Sequence, residues 1–94
     1  MQKFVVFHAD HPNFGVGTKP KFPDEYSKVA AVRACNLEEI FRLTNHIEQD
    51  WTENDEIEWS RDSDCRSTSV GDIVIDPNGD IYYCKNFGWE KINH

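Results

Sequence analysis

The stretch that decides the fold is 66–84, which reads Arg-Ser-Thr-Ser-Val-Gly-Asp (66–72), Ile-Val-Ile (73–75), Asp-Pro-Asn-Gly-Asp (76–80) and Ile-Tyr-Tyr-Cys (81–84). Two runs rich in β-branched and aromatic residues flank a segment of turn-forming residues. Pro77 suits the second position of a type I turn, and Gly79 suits the left-handed conformation that closes such a loop. The pattern predicts a β-hairpin over residues 73–84, entered from a polar segment.

A helix is predicted upstream of this hairpin, starting after Asn36. Asn is a preferred N-cap, and Glu39 three residues later completes a capping-box pattern. Side chains then recur at helical spacing on one face: Leu37, Ile40, Phe41, Thr44, Ile47 and Trp51. The pattern predicts a helix that ends near Gln49.

Two strands are predicted before the helix. Residues 3–8 are apolar on both faces, which is typical of a central strand. We interpret residues 27–34 as a strand, because a helix there would run into the next one without a Gly or Pro stop. After the helix, acidic and apolar residues alternate over 56–59, which is typical of a short edge strand. Residues 87–92 suit either a last short strand or a packed tail.

The predicted fold is α+β: one amphipathic helix packed on an antiparallel sheet of four or five strands, in the order β-β-α-(β)-β-β, with a C-terminal β-hairpin. The 94 residues form a single domain, 1–94, near the lower size limit of domains that fold alone. No stretch approaches the roughly 18 apolar residues that cross a bilayer, and the N-terminus lacks a signal-peptide pattern. We therefore expect a soluble, cytoplasmic protein without membrane contact.

The negative charge of the chain is concentrated in one segment. The formal net charge is −7, and residues 48–64 set eight acidic residues against Arg61. They are Glu48, Asp50, Glu53, Asp55, Glu56, Glu58, Asp62 and Asp64. Nucleic-acid binding needs the opposite sign, so we expect no direct binding to nucleic acid and a protein partner with a basic surface.

The cysteines give no metal signature. Cys35, Cys65 and Cys84 are widely spaced and form no CxxC pair. The acidic segment lacks the glycine and the ligand spacing of a calcium loop. We expect free thiols in a reducing compartment, no metal and no cofactor.

Several motifs together resemble the YodL-like family of small bacterial and phage domains. They are Asn-Leu-Glu-Glu-Ile-Phe-Arg-Leu-Thr-Asn (36–45), Arg-Ser-x-Ser-Val-Gly-Asp (66–72), Tyr-Tyr-Cys (82–84) and Phe-Gly-Trp-Glu-Lys-Ile (87–92). The resemblance covers roughly residues 26–92. It implies a domain carried by phages or other mobile elements that acts on the host after DNA entry, and it implies no enzymatic activity.

The first candidate site is the polar segment before the hairpin: Arg66, Ser67, Thr68, Ser69 and Asp72. These groups suit a structural turn, a contact with a partner or ligand, or a hydrolytic site. A serine nucleophile needs a base within hydrogen-bond reach, and the histidines at positions 8, 11, 46 and 94 lie elsewhere in the sequence. We interpret the segment first as a turn in which Arg66 pairs with a carboxylate and Gly71 takes a positive φ.

The second candidate site is a partner-binding surface on the acidic segment, formed by Trp51, Glu53, Asp55, Glu56, Glu58 and Trp59. The predicted function is a non-enzymatic protein of phage or mobile-element type that engages a host protein. A narrower version inhibits host defence by mimicking nucleic acid. The alternatives are a small-ligand-binding or hydrolytic domain centred on Arg66–Asp72, and an accessory module that homo-oligomerises through an edge strand.

Overall fold

The computed structural model of the chain describes residues 2–11, 21–45, 51–61 and 66–92. In these ranges the chain has an α+β fold with six strands, one α-helix and a short 3₁₀ turn. The strands are β1 (Gln2–Ala9), β2 (Tyr26–Ala34), β3 (Ile57–Ser60), β4 (Ile73–Ile75), β5 (Ile81–Cys84) and β6 (Trp89–Ile92). The helix is α1 (Leu37–Leu43), and the 3₁₀ turn is Trp51–Glu53.

All six strands pair in one antiparallel sheet in the order β3-β2-β1-β4-β5-β6. The first strand of the chain is central, as its two-sided apolar pattern predicted. The prediction of four or five strands was too low, because both of the segments that the pattern left open pair at the edges of the sheet, as β3 and β6. Strands this short are determined by pairing with a neighbour more than by their own periodicity.

The hairpin of residues 73–84 forms as predicted, with β4 and β5 joined by the turn. Gly79 has a φ of +88°, and its N–H donates to the carbonyl of Asp76 at 3.0 Å. The Asp76 carboxylate accepts the backbone N–H groups of Asn78 and Asp80, each at 2.9 Å. Local turn chemistry therefore determines this loop.

Helix α1 begins as predicted. The Asn36 side chain accepts the N–H of Glu39 at 2.9 Å. The Glu39 carboxylate reaches back to the N–H of Cys35 at 3.1 Å. Two backbone donors are thereby satisfied by side chains, as in a capping box, except that Glu39 accepts the N–H of the residue before the N-cap.

Helix α1 ends at Leu43, earlier than the predicted end near Gln49. The Ile40 carbonyl accepts both the backbone N–H and the Oγ1 of Thr44, at 3.0 Å and 2.8 Å. The Leu43 carbonyl, at the end of the helix, accepts a side chain instead, Asn54 Nδ2 at 2.8 Å. Such hydrogen bonds compete with continued helix, and hydrophobic spacing does not reveal them. The predicted helical positions 46–50 lie outside the described residues. Within the described ranges no helix is long and apolar enough to cross a membrane.

The core occupies both faces of the sheet, because β1 directs alternate side chains to opposite sides. The helix side holds Phe4, Val6, Val32, Ile40, Leu43, Trp51 and Val74. The opposite side holds Ala9, Tyr26, Ile73, Ile81 and Tyr83, with Phe22 packed against them. The alternation of β1 continues to His8, a buried polar residue on the helix side of the sheet.

Candidate functional site

The polar segment 66–72 is organised around the buried carboxylate of Asp72. Its Oδ1 accepts the backbone N–H of Ala9 at 3.0 Å, and its Oδ2 accepts that of Ser69 at 2.7 Å. The Arg66 guanidinium donates to both oxygens, at 2.7 Å and 2.6 Å. Burial removes the hydration of a carboxylate, and these four hydrogen bonds compensate for that loss.

Arg66 connects this carboxylate to other parts of the chain. Its guanidinium also donates to the carbonyls of Ser67 at 3.1 Å and of Ala9 at 3.3 Å. Its own carbonyl accepts the indole N–H of Trp51 at 2.9 Å. The prediction that Arg66 pairs with a carboxylate is confirmed, and the partner is Asp72 of the same segment.

Main-chain hydrogen bonds hold the segment against β5. Gly71 has a φ of +100°, the left-handed region predicted for it. Its N–H donates to the carbonyl of Cys84, and the Cys84 N–H donates to the carbonyl of Asp72, both at 2.9 Å. The Tyr26 hydroxyl donates to the Gly71 carbonyl, and burial raises the pKa of that phenol. The turn before the hairpin is thus held by hydrogen bonds to Cys84 of β5 and from Tyr26 of β2.

The sequence pattern placed no histidine near this segment, and the structure places one there. His8 is buried on β1, with Nε2 hydrogen bonded to Thr68 Oγ1 at 2.9 Å. Its position two residues after Val6 on the same strand face was a signal that the ring is buried. No local pattern identifies the partner, because Thr68 lies 60 residues further along the chain.

The surroundings of His8 differ from those of a catalytic triad. In a triad the nucleophile and the carboxylate contact different imidazole nitrogens. Here Thr68 Oγ1 at 2.9 Å and Asp72 Oδ2 at 3.9 Å both lie near Nε2. Thr68 is only 1% exposed, so its hydroxyl does not meet a substrate in this arrangement. The four side chains His8, Arg66, Thr68 and Asp72 are called the buried polar cluster below.

Burial keeps His8 neutral near pH 7. It lowers the pKa of the imidazole to about 4, and the positive charge of Arg66 also lowers it, against the opposing effect of Asp72. The Trp51 ring lies against the imidazole with its centroid 6.2 Å away. A neutral ring fits this partly apolar position, because a charged one would lose its hydration there.

The serines of the segment serve its backbone. Ser69 Oγ donates to the carbonyl of Ser67 at 3.2 Å. Among the described residues no buried side-chain nitrogen or oxygen lacks a hydrogen-bond partner. The described ranges also contain no group of three His, Cys, Asp or Glu side chains arranged to hold a metal ion. The polar groups of the first candidate site are therefore engaged within the fold.

The acidic segment differs from the predicted contact surface at Trp51. This side chain is fully buried against the core, so the prediction that it is an anchor for a partner is wrong. It lies in the 3₁₀ turn, not on α1, and packs in the same core as Ile40 and Leu43. Trp59 on β3 is 46% exposed, with the Lys28 ammonium 5.2 Å from its ring centroid.

Cations of β1 and β2 balance part of the acidic charge. Glu58 lies 3.3 Å from Arg33 and 3.8 Å from Lys3. The Arg33 guanidinium also donates to the backbone carbonyl of Asp55 at 3.0 Å. Asp55 is exposed and Glu56 is half-buried. Outside the described part of the chain lie the side chain of Glu53 and the acids Glu48, Asp50, Asp62 and Asp64.

A cleft of about 410 Å³ opens near β6, at the edge of the sheet opposite to β3. It lies between α1 and the turn that joins β5 to β6, and we call it the aromatic cleft. Its lining residues are Glu38, Phe41, Cys84, Lys85, Asn86, Gly88 and Trp89. The sequence pattern did not single out this place, because Phe41 was assigned to the buried face of the helix.

Two aromatic rings line this cleft, and a third residue, Phe87, is adjacent to it in the chain. Phe41 and Trp89 meet edge to face with their centroids 6.5 Å apart, and Phe41 is 40% exposed. Phe87, in the turn between the lining residues Asn86 and Gly88, is 97% exposed. Burial raises the pKa of the Cys84 thiol to about 11, so this wall of the cleft is uncharged at neutral pH. The cleft is therefore apolar, with charged groups at its rim.

No protein family, no curated protein and no solved structure matches the chain.

Proposed function

We propose that this protein is a non-enzymatic binding domain that engages a protein partner through the aromatic cleft. The observation that carries the proposal is Phe87, which is 97% exposed beside the cleft. Large apolar side chains grouped at a concave surface are typical of interaction sites, because their transfer out of water drives association. Aromatic residues are also the side chains that most often dominate binding energy.

The buried polar cluster supports a binding role over a hydrolytic one centred on Arg66–Asp72. Its carboxylate accepts four hydrogen bonds from the protein itself. Its hydroxyl, on Thr68, is buried and bonded to a neutral imidazole. Groups arranged in this way stabilise the turn, and a substrate would have to displace contacts that hold the fold together.

The partner we propose is a host protein with a basic surface. The net charge of −7 favours such a partner by electrostatic attraction. The resemblance of residues 26–92 to YodL-like domains supports a phage or mobile-element origin. We also propose a cytoplasmic location, which agrees with the free thiols of Cys35 and Cys84.

A second candidate surface is the acidic one, which the exposure of Trp59 favours. In that version the protein mimics nucleic acid through the acidic residues Asp55, Glu56 and Glu58, which lie close to Trp59 in the sequence. The pairing of Glu58 with Lys3 and Arg33 lowers the negative potential there. Mimicry predicts binding that weakens steeply with salt, because screened charges attract less.

The test is affinity capture from host lysate, followed by binding measurements with the purified partner. We compare wild type with Phe87→Ser and Phe41→Ser at the cleft, and with Trp59→Ser at the opposite edge as the matched control. Loss of one central aromatic residue is expected to weaken binding by at least about tenfold. The control is expected to bind like wild type.

The outcome of this comparison distinguishes the two surfaces. Equal binding of wild type and both cleft variants would show that the aromatic cleft is not the contact. Loss of binding in Trp59→Ser, or on charge reversal of Asp55, Glu56 and Glu58, would mean that the partner binds the acidic surface. Failure of every form to retain a partner would reject the binding role.

A further inference from the structure

The strand beside the aromatic cleft has backbone groups directed away from the sheet. Trp89 on β6 lies opposite Cys84 on β5. The N–H and C=O of Cys84 point away from β6, because they are hydrogen bonded to Asp72 and Gly71. Opposed residues of an antiparallel pair either exchange both hydrogen bonds or exchange none. The N–H and C=O of Trp89 therefore point to the outer edge of β6.

β6 forms one border of the described sheet. Among the described residues, β6 is the last strand of the sheet and has no strand beyond it. The same two-residue alternation turns the backbone of Lys91 outward as well. An edge of this kind is the site at which an extended chain adds to a sheet. The Trp89 side chain lines the cleft, so the edge and the cleft meet at one residue.

The rim of the cleft has an unbalanced negative charge. Lys85 lies 3.7 Å from Glu90, and Arg42 lies 3.8 Å from Glu39. Glu38 is exposed, lines the cleft and has no ion-pair partner among the described residues. A cation brought to this rim would therefore meet a carboxylate that is not already paired.

We propose that β6 and the aromatic cleft together bind an extended segment of a partner protein, with an apolar side chain in the cleft and a Lys or Arg beside Glu38. The segment adds to the sheet through the backbone of Trp89 and Lys91. Main-chain hydrogen bonds supply affinity in this mode, and the pocket selects the side chain. The cleft volume of about 410 Å³ falls within the range of roughly 300–1,000 Å³ that is typical of ligand pockets. This inference rests on the proposed function and names the chemistry of the partner.

The first test selects binders from a displayed library of random peptides of about 12 residues against the whole immobilised chain. Wild type is expected to enrich peptides with an aromatic or aliphatic residue flanked by Lys or Arg. Glu38→Lys is expected to shift the flanking preference to Asp or Glu. Glu58→Lys, a matched charge reversal at the opposite edge, is expected to select the same peptides as wild type.

The second test measures how the best selected peptide pairs with the chain. Fluorescence polarisation compares the unmodified peptide with one methylated at alternate backbone nitrogens, which removes donors that strand addition needs. Methylation in one of the two registers, and Phe41→Ser in the protein, are each expected to weaken binding by at least about tenfold. Circular dichroism of Phe41→Ser and Glu38→Lys confirms that a loss of binding is not a loss of folding.

Three results would overturn the inference. The first is a peptide preference that Glu38→Lys leaves unchanged, and the second is full affinity in both methylated registers. The third is a concentration-dependent dimer that Phe87→Ser converts to a monomer in sedimentation experiments, because the occupant is then a second copy of this chain. If these peptides fail while Phe87→Ser still loses the captured partner, the proposed function stands without this mode of recognition.

Discussion

The buried polar cluster and the aromatic cleft reverse the usual distribution of side chains. The cluster places an ion pair, an imidazole and a hydroxyl inside the fold, where Asp72 and Thr68 are almost inaccessible to water. The cleft leaves Phe41 and Phe87 exposed. Every polar group of the cluster has a protein partner, whereas the ring of Phe87 has almost none of its surface covered. A group of polar side chains therefore does not by itself mark a binding site, since contacts within the protein can engage all of its hydrogen-bonding groups.

The largest expected effect comes from removing the centre of the cluster. Asp72→Ala removes the carboxylate that Arg66 contacts and leaves two backbone N–H groups, those of Ala9 and Ser69, without their acceptor. Each N–H group left unsatisfied costs about 1–3 kcal/mol, and the half-buried Arg66 loses its ion pair as well, out of the roughly 5–15 kcal/mol that stabilise a typical domain. Urea denaturation at pH 7 measures the loss. The exposed Asp55→Ala serves as control, and a loss in Asp72→Ala no greater than in that control would make the cluster dispensable.

The second effect is a dependence of stability on pH that arises at His8. Its pKa is about 4 in the folded protein against 6.5 as the ordinary value. The unfolded chain therefore takes up a proton first as the pH falls. The stabilisation of the fold by neutral His8 is complete above pH 6.5. As the pH decreases toward 4, the free energy of unfolding falls by up to about 3 kcal/mol from this residue.

His8→Gln isolates this contribution from the carboxylates, which also titrate at low pH. Denaturation curves of both proteins between pH 7 and pH 4 give the difference in the free energy of unfolding. We expect the wild-type advantage over the variant to shrink as the pH falls. A constant difference across this range would mean that His8 titrates normally and is not held neutral by burial.

A smaller effect is expected from the single hydrogen bond between His8 and Thr68. Thr68→Val keeps the shape of the side chain and leaves the imidazole nitrogen without its partner. The expected loss is about 1–3 kcal/mol, the cost of a buried polar group left unsatisfied. Ser69→Ala, which removes a half-buried hydroxyl of the same segment, is the control and is expected to lose less. If the two variants lose the same free energy of unfolding, Thr68 stabilises the fold by packing and not by its hydrogen bond to His8.

The smallest effect on folding is expected at the cleft. Phe87→Ser should change the free energy of unfolding by less than about 0.5 kcal/mol, because its side chain is almost entirely exposed. Thermal and urea unfolding measure this directly. A loss of more than about 1 kcal/mol would show that Phe87 supports the fold, and the contrast with the buried polar cluster would then disappear.

Local chemistry was predictable from the sequence. The cap at Asn36, the positive φ of Gly79 and the hairpin follow from residues a few positions apart, and the structure confirms each. The pairing of Arg66 with a carboxylate was also predicted, although the sequence pattern did not name Asp72 as the partner. Interactions within a turn or cap involve few alternatives, which is why residue type and spacing suffice.

Interactions between distant segments were not predictable. His8 and Thr68 meet only because β1 lies beside β4, and the early end of α1 depends on a hydrogen bond from Asn54. The burial of Trp51 and the exposure of Phe41 depend on how α1 packs on the sheet. Helical spacing predicts a face, but it does not say how far that face is covered by the rest of the chain.

The central position of β1 has a consequence for synthesis on the ribosome. β1 can pair with β2 soon after both have been synthesised, but its other neighbour, β4, begins only at Ile73. Until that point one side of β1 remains unpaired, and Ala9 lacks the carboxylate that accepts its N–H. A nascent chain with an open apolar strand is prone to wrong pairing. Native folding of this small domain is therefore a late event, completed only when most of its residues have left the exit tunnel.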